Sequence, residues 1–171
     1  MYRKIEKVEK EQHLSNIEKK LLDQGFTFER KDFNRPWGAF WVINEIHAKE
    51  FIKRYFPDIN PNDLITGQKL SPKILYVNPN ARLSWQYHFR RREIWRVIEG
   101  PVAVIRSKNN DEKEMEIFNK GEQLELAQGE RHRLIGLDNE GIVSEIWIHT
   151  HPDNPSDEED IVRLQDDFKR K

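Results

Sequence analysis

The sequence predicts one domain that is all-β at its centre and carries helices at both ends. Between Lys73 and His149, short β-like runs alternate with turn residues at near-even spacing. That rhythm is typical of a sandwich or barrel rather than of a parallel sheet covered by helices. A length of 171 residues suits one such domain with a substantial core and is too short for two ordinary ones. The five tryptophans, nine phenylalanines and four tyrosines supply bulky core material.

The N-terminal part is expected to be largely helical. Residues 3–24 place apolar side chains near one helical face, and Gly25 stands where it can end the helix. A second helical stretch is predicted from about residue 45 to residue 56, with Pro57 as its stop. Between the two helices, the turn-like run at 35–38 leads into a strand that enters the main body.

The remaining elements follow from turn signals and one capping pattern. We predict strands near 73–77, 83–88, 93–98, 101–107, 113–118, 123–126, 131–136 and 142–149. Ser156 followed by Glu159 is a capping-box pattern, which predicts a C-terminal helix. The predicted layout is therefore a single domain over 1–171, with a helical extension (1–34), a barrel (35–150) with a helical insertion near 44–70, and a C-terminal helix (151–171).

Composition excludes several classes of function. Lys and Arg number 29 against 30 Asp and Glu, so charge gives no reason to expect nucleic acid or an anionic membrane as the main partner. No apolar run approaches the roughly 20 residues that span a bilayer. The absence of cysteine excludes disulfides, thiolate metal sites and thiol catalysis and fits a reducing compartment. With no apolar signal at the N-terminus, we expect a cytoplasmic protein.

One set of polar residues has the spacing of a metal site. Gln86 and His88 are two residues apart, so on a strand they point to the same face. Glu93 follows where an adjacent strand could return a carboxylate to that face, and His132 adds a second imidazole from a distant segment. Such a mixed nitrogen and oxygen set suits zinc, iron, manganese, cobalt or nickel and leaves positions open for water or substrate. The alternative is a buried hydrogen-bond network without metal.

The same stretch resembles the two sequence motifs of the cupin superfamily. Gly100, Gly121 and Gly129 fall in register with motif glycines, whereas Asn80 stands at the first glycine and Ala127 at the proline. The change at Asn80 is mild, because asparagine tolerates positive φ better than most residues. The resemblance implies a jelly-roll barrel, also called a double-stranded β-helix.

More closely, the sequence resembles type II mannose-6-phosphate isomerases. The matching pieces, in order, are 35–38, 79–88, Arg91, Glu93, Trp95, Gly129, 132–134 and 159–164. These islands cover 35–43 and roughly 73–168. The guanylyltransferase domain often fused to this module, with its glycine-rich nucleotide loop, is absent from the sequence, so we expect a stand-alone cupin module without nucleotidyl transfer.

The resemblance implies a metal-dependent aldose–ketose isomerase of a phosphorylated sugar, with mannose 6-phosphate to fructose 6-phosphate as the first candidate. It implies one divalent metal, zinc first, and a possible homodimer. The implied metal ligands are Gln86, His88, Glu93 and His132, and the implied phosphate or enediolate contacts are Lys73, Arg91 and Arg133. For each of these three cations, a solvated surface position is the alternative. The base stays unassigned, since a metal-bound hydroxide or a pocket carboxylate would both serve. Glu145 could face inwards as an acid or base, or outwards to solvent.

Two other functional classes stay open. The family usually has histidine where Arg90 and Ile94 stand, and the connection over 44–72 is longer than usual. That connection could cover the site or pack outside it. These departures favour a non-catalytic metal- or sugar-binding cupin module. A different metal-dependent cupin enzyme, such as an oxygenase or epimerase, would share the ligands but not the matches at both ends of the chain.

Overall fold

The chain folds around two antiparallel sheets. The computed structural model describes residues 2–64 and 69–170, and the side chains from residue 7 onwards. The described helices are α1 (Tyr2–Asp23), α2 (Ala48–Tyr55) and α3 (Pro61–Leu64), with a 3₁₀ turn at Glu45–His47. The described strands are β1 (Phe28–Arg35), β2 (Gly38–Ile43), β3 (Lys73–Val77), β4 (Trp85–Tyr87), β5 (Arg91–Glu99), β6 (Val102–Ser107), β7 (Glu116–Phe118), β8 (Gln123–Leu126), β9 (Arg131–Gly136), β10 (Gly141–His149) and β11 (Val162–Gln165).

The two sheets form the predicted barrel. The larger has the strand order β1-β2-β3-β10-β5-β8, and the smaller has the order β11-β4-β9-β6-β7. Alternate side chains of both sheets meet in one buried apolar cluster, which includes Val77 and Val97 of the larger sheet and Val102, Val104 and Leu134 of the smaller. Because the side-chain period of a strand is two, the residues between them face outwards. The predicted all-β jelly roll is confirmed.

The helices pack on the outer face of the larger sheet. Trp41, Ile74 and Ile146 point away from the barrel interior and pack with Leu14 of α1 and Phe51 of α2 in a second buried cluster. The described part of the 44–72 connection therefore lies outside the barrel rather than over its interior, and its residues 65–68 are outside the described range. Within the described ranges, no helix is long and apolar enough to cross a membrane.

Two turn predictions have clear steric reasons. Asn80 adopts a φ of 55°, the left-handed conformation that explains why asparagine can replace the motif glycine. Gly38 follows the turn between β1 and β2, where an added Cβ would lie 1.8 Å from the carbonyl oxygen of Tyr76. Only glycine allows this close approach of β2 to β3.

The predicted C-terminal helix is wrong. Residues 151–161 form turns, and Val162–Gln165 forms β11, which pairs with β4 at the edge of the smaller sheet. The Ser156 hydroxyl donates to the Asp160 carboxylate at 2.6 Å instead of capping a helix. Pairing with an open sheet edge overrides the local capping signal.

The all-helical extension over 1–34 is also only partly right. α1 is present, but Phe28–Arg35 forms β1 and pairs with β2. This strand is polar and half exposed along most of its length, so it carries little hydrophobic alternation that would predict it.

Candidate metal centre and adjoining cavity

A polar cavity of about 130 Å³ occupies one end of the barrel interior. The apolar cluster fills the other end, because inner positions change from polar to apolar along β3, β5 and β10. Charged and amide side chains on the cavity wall are Arg30, Arg35, Lys73, Gln86, Arg91, Glu93, Glu145, Glu158, Arg163 and Arg170. Aromatic wall residues are Trp37, Phe40, Trp95 and Trp147.

Three of the four predicted ligands come together beside this cavity. Oε1 of Glu93 lies 3.2 Å from Nε2 of His88, and Oε2 lies 3.6 Å from Nε2 of His132. The potential ligand atoms of these three residues all lie within 4.8 Å of one another. Each side chain is at most 3% exposed. Glu93 reaches the cavity wall, whereas the two imidazoles are behind it.

Strand register explains why distant residues meet here. Gln86 on β4 lies directly opposite His132 on β9, so the two side chains share a face. Glu93 faces them from β5 in the other sheet, and His88 follows the end of β4. Gln86 lies on the cavity wall, and its Oε1 accepts a hydrogen bond from the Ser84 hydroxyl. The predicted spacing therefore positions all four residues around one end of the barrel.

Backbone carbonyls fix the tautomer of both histidines. Nδ1 of His88 is 2.6 Å from the carbonyl oxygen of Asp160, and Nδ1 of His132 is 2.9 Å from that of Glu130. A carbonyl only accepts, so each Nδ1 carries the proton and each Nε2 presents its lone pair towards Glu93. This outer-shell arrangement is common among metal-binding histidines.

The electrostatics of the histidines also fit metal binding. Burial lowers the pKa of His88 to about 3 and lowers that of His132 as well, so both imidazoles are neutral at physiological pH. Nε2 of His132 is buried and has no hydrogen-bond partner among the described residues. A buried lone pair without a donor is costly, and a divalent ion would satisfy it.

Glu93 is held in its ionised form. Burial acts to raise its pKa, but His88, Arg91 and His132 together bring that pKa below its ordinary value. Nε of Arg91 donates to Oε1 at 2.8 Å, and the indole nitrogen of Trp95 donates to Oε2 at 3.0 Å. Both carboxylate oxygens are therefore oriented before any ligand arrives.

Arg91, predicted as a phosphate or enediolate contact, lies on the cavity wall and also contacts the candidate metal ligands. Its guanidinium is buried, lies 3.6 Å from the ring centre of Trp147 and donates to Ser156 as well as to Glu93. Its Nη2 is also 3.1 Å from Nε2 of His88. Arg91 thus reaches the cavity wall mainly as a group that holds the metal-centre side chains in place.

The other two predicted phosphate or enediolate contacts, Lys73 and Arg133, lie in different parts of the structure. Lys73 lies on the cavity wall, with Nζ 3.9 Å from the ring centre of Trp147. The structure does not bring Arg133 to this cavity. The guanidinium of Arg133 is buried on the other face of β9, where it donates to Glu112 at 2.7 Å and to the Leu83 carbonyl at 3.0 Å. The alternation that points His132 inwards points its neighbour outwards.

Glu145 faces inwards, which the sequence left undecided. It is 5% exposed, and its Oε1 accepts a hydrogen bond from the Trp147 indole at 2.8 Å. Burial and the charge of Glu93 raise the pKa of Glu145 to about 7, although Lys73 acts in the opposite direction. Glu145 is two residues from both Val143 and Trp147 on β10, and both of these face the interior. Strand alternation therefore predicts an inward-facing Glu145 once the orientation of either neighbour is known.

Sequence reasoning missed the arginines at the cavity mouth. The guanidinium groups of Arg30 and Arg35 lie 5.3 and 5.4 Å from the ring centre of Phe40. Both come from β1; Arg30 lies in the part predicted as a helical extension, and Arg35 begins the turn-like run predicted at 35–38. Their proximity to Lys73 exists only once β1 joins the sheet.

Comparison with known proteins agrees with this architecture. The family model "Mannose-6-phosphate isomerase C-terminal" matches residues 46–166. The xanthan biosynthesis protein XanB of Xanthomonas campestris pv. campestris is 28% identical over 144 residues, which cover 84% of this chain but only 24% of XanB. The capsular polysaccharide assembling protein CapF from Staphylococcus aureus superposes with a TM-score of 0.54 at 14% identity, over 82% of this chain and 34% of CapF, and shows the fold alone. The chain is a cupin of the mannose-6-phosphate isomerase C-terminal family.

Proposed function

We propose that this protein is a metal-dependent isomerase of a phosphorylated sugar, with mannose 6-phosphate to fructose 6-phosphate as the first candidate reaction. Family membership and a relative named for xanthan biosynthesis support a sugar substrate. The observation that carries the proposal is the position of Glu145. A buried carboxylate with a pKa near 7 shares one cavity with Glu93 of the metal centre and with the cation of Lys73.

His88, Glu93 and His132, with Gln86 as a fourth ligand, would hold one divalent ion. Zinc is the first candidate, and manganese, iron, cobalt and nickel suit the same donors. When bound, such an ion supplies polarisation of the sugar's carbonyl and hydroxyl oxygens. The chain's own part is to keep both imidazoles neutral by burying them and oriented through the carbonyl oxygens of Asp160 and Glu130.

Glu145 is the proposed proton carrier. Its carboxylate takes the proton from the hydroxyl-bearing carbon beside the carbonyl, the C–H electron pair forms the enediol double bond, and the carbonyl π pair becomes a lone pair on the carbonyl oxygen. The carboxyl group then returns the proton to the former carbonyl carbon, while the hydroxyl proton of the neighbouring carbon moves to the former carbonyl oxygen and the new carbonyl forms. A pKa near 7 suits both directions of transfer. Trp147 orients the carboxylate, and Nζ of Lys73, 4.0 Å from Oε1, stabilises its anionic form.

A non-catalytic sugar-phosphate-binding module is the second candidate. It is favoured by the hydrogen bond from Arg91 to His88 and by the position of both imidazoles behind the cavity wall. Without metal, these contacts make a buried polar network, in which Nε2 of His132 has no partner among the described residues. Metal binding at this centre requires Arg91 to give up its contact with Nε2 of His88.

A coupled assay for fructose 6-phosphate formation tests the proposal. Metal-stripped protein is reconstituted separately with zinc, manganese, cobalt, nickel and ferrous iron, and turnover is followed in deuterium oxide to detect deuterium at the first carbon of the fructose 6-phosphate formed. Metal-dependent turnover with exchange supports the isomerase. If mannose 6-phosphate and a panel of other sugar phosphates bind without turnover under every metal, the binding module replaces it.

A further inference from the structure

The carboxylate of Glu158 occupies the mouth of the cavity. Its Oε1 lies 2.6 Å from Nζ of Lys73 and 3.3 Å from Nη2 of Arg30. Glu158 comes from the turn-forming segment before β11 and is half exposed, whereas Lys73 is only 8% exposed. A chain-borne anion is thus seated between two cations on the wall of the proposed substrate cavity.

The two cations have supports of their own. Lys73 lies over the ring of Trp147, and Arg30 lies over the ring of Phe40. Cation–aromatic contacts of this kind keep a charged group in place without an anionic partner. Removal of the Glu158 carboxylate would therefore leave an anion-binding pair at the mouth rather than an empty surface.

A separate observation also points to a ligand. The indole nitrogen of Trp37 is buried, lies in a side chain that lines the same cavity, and has no hydrogen-bond partner among the described residues. Trp37 as a whole is 5% exposed. A buried N–H donor without an acceptor is costly. An oxygen-rich ligand in this cavity would supply that acceptor.

We propose that Arg30 and Lys73 form an anion subsite for the phosphate group of a sugar phosphate, and that Glu158 fills this subsite until the phosphate displaces it. The subsite deepens the proposed function and rests on its assignment of a phosphorylated ligand. A phosphate carries more charge than a carboxylate and offers more acceptor oxygens, so it is the stronger ligand for a lysine and an arginine. Glu158 can yield because it is half exposed and is held by ion pairs to Lys73 and Arg30.

The displacement model predicts that a substitution which breaks an existing ion pair strengthens phosphate binding. If Glu158 competes with phosphate, its neutralisation tightens phosphate binding. If Glu158 instead serves to fix Lys73 in a binding-competent position, its neutralisation weakens phosphate binding. For a mouth closed about nine tenths of the time, loss of the competitor raises apparent affinity about tenfold.

Titration calorimetry with inorganic phosphate at fixed ionic strength tests this. We expect Glu158→Gln to bind phosphate about tenfold more tightly than wild type. The adjacent Glu159→Gln removes the same charge from an exposed side chain and should leave affinity unchanged. Lys73→Met and Arg30→Gln should weaken binding. Arg30 is half exposed, so that variant keeps the test valid even if Lys73→Met misfolds.

Two results overturn the proposal: unchanged or weaker binding by Glu158→Gln, or equal tightening by Glu159→Gln. The readout needs no turnover, so it separates this inference from the isomerase assignment. Tighter phosphate binding by Glu158→Gln in a protein that isomerises no sugar phosphate would retain the subsite and reject the isomerase. Turnover by wild type, without tighter phosphate binding by Glu158→Gln, would retain the isomerase and reject the subsite.

Discussion

The two ends of the cavity hold their charges in different ways. At the metal centre, His88, Glu93 and His132 are at most 3% exposed, and each is fixed by a carbonyl, guanidinium or indole partner. At the mouth, Arg30 and Glu158 are half exposed and meet through an ion pair. One end is buried throughout, whereas Arg30 and Glu158 at the mouth are half exposed and the third charged group there, Lys73, is buried.

This difference indicates a division of labour. A half-exposed ion pair contributes about 1 kcal/mol or less, so a ligand can replace one partner at little cost. Breaking a buried charge network costs several kcal/mol, because one charge is left without compensation. The metal centre is therefore suited to preorganised chemistry, and the mouth is suited to exchange of anions.

The largest expected effect comes from removing a ligand at the buried end. His132→Ala should lose its bound divalent metal and reduce isomerase activity to the assay background, because His88, Glu93 and the neutral amide of Gln86 would hold an ion poorly. Metal content after dialysis and the coupled assay measure this. The exposed His151→Ala is the matched control and should keep both properties. Full metal retention by a folded His132→Ala protein would reject the assignment of His132 as a ligand.

Glu145→Gln should separate chemistry from metal binding. Loss of the proton carrier should lower kcat by about 10² to 10⁴, whereas metal content should match wild type because Glu145 is outside the ligand cluster. Steady-state kinetics with metal analysis on the same samples measures both. If kcat changes less than about threefold, another group carries the proton.

The same comparison explains what the sequence could predict. Gln86, His88 and Glu93 lie within eight residues of one another, so strand periodicity and short loops largely determine their shared location. His132 could be added because the second cupin motif has its own recognisable spacing. These four positions could therefore be predicted as candidate metal ligands from the sequence alone.

The grouping of charges at the cavity mouth could not be predicted from the sequence in this way. Arg30, Lys73 and Glu158 come from three distant parts of the chain; Arg30 and Glu158 look like ordinary surface charges in sequence, and Lys73 was singled out only by the family resemblance. They meet because β1 pairs with β2 and because the C-terminal segment returns to form β11. Both of these strands were missed, since one lacks alternation and the other follows a misleading capping pattern.

Two tryptophan substitutions test whether the ends are independent. Trp95→Phe removes the indole donor to Glu93 and should weaken metal affinity by about 10- to 100-fold, as expected for an outer-shell contact. Trp37→Phe removes the unpartnered indole on the cavity wall and should leave metal affinity unchanged. Competition with a metal chelator measures both variants. Equal losses in the two variants would mean that the effect comes from general core disruption.

The raised pKa of Glu145 predicts a pH effect on stability in metal-free protein. The folded pKa is about 7, above the value near 4.3 of an exposed glutamate. The contribution of Glu145 to the free energy of unfolding is therefore fully present below about pH 4 and is lost as pH rises through about 7.

Between pH 5 and pH 8, wild type should lose on the order of 2 kcal/mol of unfolding free energy relative to Glu145→Gln. Urea denaturation of both proteins at the two pH values measures the difference. A difference that does not change with pH would show that Glu145 is ionised throughout this range.

The smallest expected effect concerns Gln86, which is intermediate in character between the buried centre and the partly exposed mouth. Its amide oxygen is on the cavity wall and accepts a hydrogen bond from Ser84, so it coordinates a metal only after that contact is exchanged. A neutral amide that must first release a partner contributes less than an imidazole or carboxylate already facing the centre. Gln86→Ala should therefore weaken metal affinity by about tenfold or less, well below the 10- to 100-fold loss typical of an outer-shell change in a rigid site. A chelator titration of Gln86→Ala beside Ser84→Ala decides the role. If the amide is a ligand, Gln86→Ala weakens binding and Ser84→Ala strengthens it; if both leave affinity unchanged, the centre has only the three buried ligands.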